Sequence, residues 1–89
     1  MTLQLATRPM GDLAVVDCRG RIVLGEETAK LRDLVKDLLS PSAHIVLDLT
    51  HVSHIDSNGI GMLVGVQVTA KKADAVIKLA GLGGHVRSV

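Results

Sequence analysis

Residues 51–61 read HVSHIDSNGIG, between an apolar run, HIVLDLT, and a second one, MLVGVQV. Within it Asp56, Ser57, Asn58 and Gly59 place a carboxylate, a hydroxyl, a carboxamide and a flexible backbone unit side by side. Where a strand ends and a helix begins, the first helical amides have no partner inside the helix. A side-chain oxygen from Asp56, Ser57 or Asn58 can cap one of them, a contribution of about 1 kcal/mol. Gly59 lets the chain turn sharply and lets another surface come close. A phosphoryl group brought here would meet unpaired amides and the positive end of the helix dipole. On chemistry alone, ordinary capping is the favoured reading. Docking of a protein partner or of a small anion or nucleotide at this corner is the sharper one.

Other chemistries fit less well. Gly59-Ile60-Gly61 followed by Gly65 is not GxGxxG, and there is no GxxxxGK, so the nucleotide-binding fingerprints fail. His51 and His54 are three apart in a turn without clustered cysteines, and His44 and His85 are isolated, so no metal site is expected. His54, Asp56 and Ser57 lie too close in sequence to adopt a hydrolytic relay. No pair of titratable groups is arranged for acid–base work, so an enzyme is the least favoured class and no cofactor is expected.

The elements that must position this corner follow from the apolar pattern. Leu3-Gln4-Leu5 begins an alternation that Arg8–Asp12 punctuates as a turn. Residues 13–19 resume it as a strand with Ala14, Val16 and Cys18 on one face, which makes a hairpin. Residues 20–25 are read as a connection. Residues 26–39 form the clearest helix, with Leu31, Leu34, Val35, Leu38 and Leu39 in one stripe, Glu26 and Glu27 in the first turn, and Ser40-Pro41-Ser42 as the stop. Lys30, Arg32, Asp33, Lys36 and Asp37 make its wet face. Residues 44–50 read as a central strand covered on both faces. A second helix is expected from Gly59 to about Lys72, and a strand over residues 75–80. Gly81–Gly84 is a loop, and Val86–Val89 resembles the first turn of a helix. Strands alternating with helices after a hairpin predict an α/β fold, a mixed four-stranded sheet with packed helices.

The chain has 89 residues, read as one domain over 1–89, with 47% apolar residues and a net charge of +1. Phe, Tyr and Trp are absent, so the core must be aliphatic and bases cannot be stacked on aromatic rings. No basic stripe points to nucleic acid or an anionic membrane. Cys18 is the one cysteine and is expected to behave as a small apolar strand residue. No secretory signal opens the sequence, and the apolar run from Ile60 to Val68 is too short to cross a bilayer. The expectation is a cytoplasmic protein without direct membrane insertion.

The second helix is apolar almost all round at its start. Ile60, Leu63 and Val64 are expected to face the sheet, which leaves Met62, Val66 and Ala70 on another side, with Gly61 and Gly65 permitting close approach. Two readings stand with equal weight: that side is covered by the domain itself, or it is a patch for a partner.

These features together resemble the STAS domain family, which includes bacterial anti-sigma factor antagonists and the C-terminal domains of sulfate transporters. The resemblance is carried by Gly20-Arg21-Ile22, the helix with Leu31, Leu34 and Val35, the strand Ile45–Leu49, and above all Ile55-Asp56-Ser57-Asn58-Gly59-Ile60-Gly61, which matches D-S-[S/T]-G-[L/I]-G. It implies a non-enzymatic partner switch: the antagonist binds an anti-sigma factor that is also a serine kinase. Phosphorylation of the hydroxyl residue before the first signature glycine then breaks the contact. The partner-binding residues expected from the signature turn and the apolar second helix are Asp56, Ser57, Asn58, Gly59, Ile60, Met62 and Val66. Asn58 stands where the modified Ser or Thr is expected, Val23 replaces an acidic residue, and the connection from Val23 to Glu27 is longer than in the best-known antagonists. The expectation is a module not phosphorylated at the usual position, with Ser57 as the weaker substitute. The resemblance also implies a full C-terminal helix, of which Val86–Val89 supplies one turn, so a truncated helix and a homo-oligomer are expected. The alternative function is that of a cytosolic STAS subunit or domain of an anion- or lipid-transport system.

Overall fold

The computed structural model describes residues 3–81. Its first two strands, β1 (Leu3–Met10) and β2 (Leu13–Ile22), form an antiparallel hairpin that pairs Met10 with Leu13 and Leu3 with Gly20. The turn is Gly11-Asp12 alone, shorter than Arg8–Asp12, because β1 runs on through Pro9 to Met10. Gly11 supplies the positive φ, 61°, that a tight hairpin turn needs. Pro9 is tolerated because β1 is an edge strand.

The rest of the chain alternates: α1 (Glu26–Leu38), β3 (His44–Ile55), α2 (Ser57–Lys72) and β4 (Val76–Ala80). The sheet order is β1-β2-β3-β4, with β2–β3 and β3–β4 parallel. Each parallel pair needs a crossover, and α1 and α2 supply them. Both helices pack on one face of the sheet and touch each other. The expected α/β fold with a mixed four-stranded sheet is therefore present. The expected turn at Val86–Val89 lies outside the described residues.

Two strands outrun their expected ends. β2 continues through Gly20 to Ile22, and β3 through His51 to Ile55. The polar residues there break the alternation that marks a strand in sequence. The pairing survives through register shifts between Asp17 and Arg19 and between Gly20 and Arg21. These irregularities bring Ile22 and Ile55, paired to each other, into the core.

That core is aliphatic throughout. Val16, Ile22, Leu31, Val35 and Leu47 are fully buried, joined by Cys18, Ile45, Leu49, Leu63, Val66 and Ala70. The α1 stripe is as expected: Leu31 and Val35 are buried, and Leu34, Leu38 and Leu39 pack half-buried against them. β3, in contrast, is covered by helices on one face. Val46 and Asp48 on its other face are only half-buried, beside Val15 and Asp17 of β2 and Lys78 of β4. Both crossovers lie on one side, and among the described residues no helix covers the opposite face of this sheet.

Candidate functional site

The turn between β3 and α2 is built around Asp56, which is the N-cap of α2. Its Oδ1 accepts the Gly59 backbone N–H at 2.7 Å, and its backbone C=O accepts Ile60 N–H at 3.0 Å. Its Oδ2 accepts the Leu24 backbone N–H at 3.1 Å, from the loop between β2 and α1. Its own N–H donates to the Ile22 carbonyl at 3.3 Å. The Gly59 and Leu24 amides together hold the Asp56 carboxyl below the usual carboxylate range. Asp56 is thus a structural clamp, and the capping reading of this residue is correct.

Gly59 is buried under the end of β2. A Cβ on it would collide with the Ile22 carbonyl oxygen and lie 2.9 Å from Ile55 Cγ2. Glycine is required here by contact with the domain's own backbone. Beside it, Ser57 and Asn58 are exposed at the helix start, and Ile60 is half-buried. The corner therefore has a fixed frame, Asp56 and Gly59, and an accessible rim, Ser57 and Asn58.

The faces of α2 differ from expectation. Gly59, Leu63, Val66 and Ala70 form the buried stripe, while Val64 and Val68 are 54% and 50% exposed. Val66, expected on a partner-facing side, is 2% exposed and belongs to the core. Ala70 is buried with it, and Val64, expected against the sheet, faces solvent. The close packing of Gly59 sets this rotation: positions four, seven and eleven residues further on follow it inward. Met62 is half-buried, between α2 and α1.

A groove runs from the corner along the two helices. Near the turn, Leu24, Thr28, Arg32, Asn58 and Met62 line it; further along, Arg32, Lys36, Gly61 and Gly65 do. The Thr28 hydroxyl donates to the Val23 carbonyl and fixes the start of α1 at the rim. Of the seven residues expected at the partner-binding site, Ser57 and Asn58 are exposed, Asp56, Ile60 and Met62 are half-buried, and Gly59 and Val66 are buried. Sequence reasoning missed Leu24, 75% exposed, and Arg32 and Lys36 on α1. The signal for the last two was their spacing of one helical turn beside the Leu31 and Val35 stripe.

The open sheet face carries other polar groups. Arg8 Nε meets Asp17 Oδ2 at 2.8 Å, and Asp48 Oδ1 accepts the Thr50 hydroxyl at 2.6 Å and its backbone N–H at 3.0 Å. Among the described residues, no group of three or more His, Cys, Asp or Glu side chains could hold a metal ion. No helix among them is long and apolar enough to cross a membrane.

A sheet of this order, two helices on one face and a clamped D-S-N-G turn define a small α/β domain. The STAS domain model matches residues 5–89, and the chain belongs to the STAS domain family, a family of non-catalytic regulatory modules. No curated protein matches the chain. Among solved structures, an anti-sigma factor antagonist from Mycobacterium paratuberculosis superposes with a TM-score of 0.78 at 20% identity, over 98% of this chain and 74% of that one. The antisigma-factor antagonist STAS domain from Rhodobacter sphaeroides gives 0.61 at 13% identity, over 90% of this chain and 87% of that one. The protein Mglu gives 0.70 at 19% identity over 83% of this chain, which spans only 18% of its length. These likenesses establish a shared fold.

Proposed function

We propose that this chain is a partner-binding module of the anti-sigma factor antagonist type, and that it docks an anti-sigma factor of the serine-kinase class through the β3–α2 corner. The observation that carries the proposal is the clamp at Asp56. It holds a rigid turn on which Ser57 and Asn58 are exposed, next to Leu24 and Met62. A preformed rim of polar groups beside aliphatic side chains suits protein docking, since little ordering is needed on association.

Asn58 has no hydroxyl, so the complex is not released by phosphorylation at that position. Its carboxamide can both donate and accept hydrogen bonds across the interface. Ser57 is the remaining hydroxyl of the turn, and a phosphate there would add a charge of about −2 at the rim. A cytoplasmic location and self-association, through exposed Val64 and Val68 of α2, belong to the same proposal.

The test is calorimetric titration of the anti-sigma factor encoded nearest to this chain's gene, with wild type, Ser57→Asp and Asn58→Asp. Binding by wild type, weakened by about tenfold or more in both variants, is expected. Wild-type binding untouched by either substitution would remove the corner from the interface. Absence of binding would favour the transport-system reading. Intact mass after incubation with the kinase shows whether Ser57 is modified, and light scattering reports the oligomeric state.

A further inference from the structure

We propose that the groove between α1 and α2 reads acidity: it receives a helix of the partner that carries two carboxylates one turn apart, paired with Arg32 and Lys36. This rests on the partner-binding reading above and names the chemistry that selects the partner.

The α1 wall of the groove is cationic. Arg32 and Lys36 lie four residues apart, both exposed, and both line a concavity of about 280 Å³ whose other wall is α2. Side chains at this spacing stand about 6 Å apart on one helix face. Among the described residues, no carboxylate lines this concavity or its continuation toward the turn. At 100° per residue, Asp33 and Asp37 fall on the solvent-facing back of α1, opposite the buried Leu31 and Val35 stripe and next to Arg32 and Lys36. Arg32 also approaches its neighbour Asp33, at 3.6 Å, but that pair is exposed and easily exchanged. The groove is thus lined by two cations of α1, one of which also approaches Asp33 on the exposed side of the helix.

The α2 wall is shaped to admit a backbone. Gly61 and Gly65 are exposed, one turn apart, and a Cβ on either would meet nothing within 4 Å. Unlike Gly59, they answer no packing need of the described domain, although glycine inside a helix costs about 1 kcal/mol relative to alanine. With Met62 half-buried between them and α1, they form a low apolar floor. A helix crossing this floor on a small or aliphatic stripe would bring carboxylates on its flank to Arg32 and Lys36. The open floor at Gly61 and Gly65 suits the close approach of a helix, and carboxylates one turn apart on it match the spacing of the two cations.

The experiment titrates the anti-sigma factor named above with wild type, Arg32→Glu/Lys36→Glu and Arg32→Gln/Lys36→Gln, at low and high salt. Thermal melts verify that both exposed double variants fold. Expected is binding at least about tenfold weaker for the Glu double variant, an intermediate loss for the Gln double variant, and a salt dependence that the Gln double variant has lost. Restoration of the Glu double variant by a Glu→Lys pair on the partner helix would complete the assignment. Wild-type binding that is sensitive to Asn58→Asp but indifferent to both double variants would overturn the groove while leaving the corner intact. No wild-type binding would overturn both proposals. A wild-type dimer that the Glu double variant dissolves would assign the groove to a second copy and overturn the partner helix.

Discussion

Asp56 and Leu24, 32 residues apart in sequence, are joined by one hydrogen bond from the Leu24 N–H to Asp56 Oδ2, 3.1 Å long. The same carboxylate caps Gly59 through Oδ1. One side chain therefore holds the β2–α1 loop and the start of α2 in a single piece, and both borders of the candidate groove depend on it.

The two bonds can be separated. Asn in place of Asp56 keeps one carbonyl oxygen for the Gly59 amide but offers no second acceptor to Leu24. Hydrogen exchange at the Leu24 amide is expected to accelerate in Asp56→Asn with Gly59 still protected. In Asp56→Ala both amides exchange faster, and the melting temperature falls on the order of 5 °C, as for loss of one N-cap in a domain of this length. Equal protection of Leu24 in wild type and both variants would contradict the clamp.

Acid should act through the same group. The carboxyls of Asp56, through the Gly59 and Leu24 amides, and of Asp48, through the Thr50 hydroxyl and amide, titrate below the ordinary range. Each binds its proton more weakly in the folded chain than in the unfolded one. Their contribution is thus complete above the unfolded value, about 3.9, and disappears as pH falls through the lower folded value. Denaturant midpoints are expected to be insensitive to these groups above about pH 5 and to drop below about pH 4. Asp56→Asn should show a shallower acid decline than wild type.

The glycines of α2 should respond in opposite directions. Gly59→Ala drives a methyl group into the Ile22 carbonyl, and a loss of about 3 kcal/mol is expected in chemical unfolding. Gly61→Ala and Gly65→Ala enter open space and should each add about 0.5–1 kcal/mol. Partner titrations of these two variants should show weaker binding despite the greater stability.

Cys18 is fully buried in the core, and burial pushes its thiol up to about 12. A thiolate-directed reagent is expected to leave it unmodified in the native state and to label it at the rate of global unfolding. Fast labelling without denaturant would place the thiol elsewhere.

The legible parts of the fold were those where one physical signal dominated. The stripe from Leu31 to Leu39 marked α1, and the Arg8–Asp12 punctuation between alternating segments marked the hairpin, although only Gly11-Asp12 form its turn. A cap from Asp56, Ser57 or Asn58 was readable, because short polar side chains ahead of a helix commonly accept its first amides; that it is Asp56, with the helix starting at Ser57 rather than Gly59, was not. The faces of α2 were not readable. Residues 60–66 are apolar or glycine, so no amphipathic contrast distinguishes Val64 from Val66; only the collision space around Gly59 does. The second acceptor role of Asp56 was hidden for a similar reason, since Leu24 comes near it only after β2 and β3 have paired. Arg32 and Lys36 read as general wet surface until α2 was seen to lie alongside them.

Pro9, within β1, bears on how copies of this domain can meet. An outer strand normally offers a ladder of free amides on which further strands can grow into fibrils. Pro9 removes one rung of that ladder. Growth along that border is discouraged, so concentrated solutions should resist cross-β aggregation nucleated from β1, and the opposite edge, β4, is where strand addition should be sought.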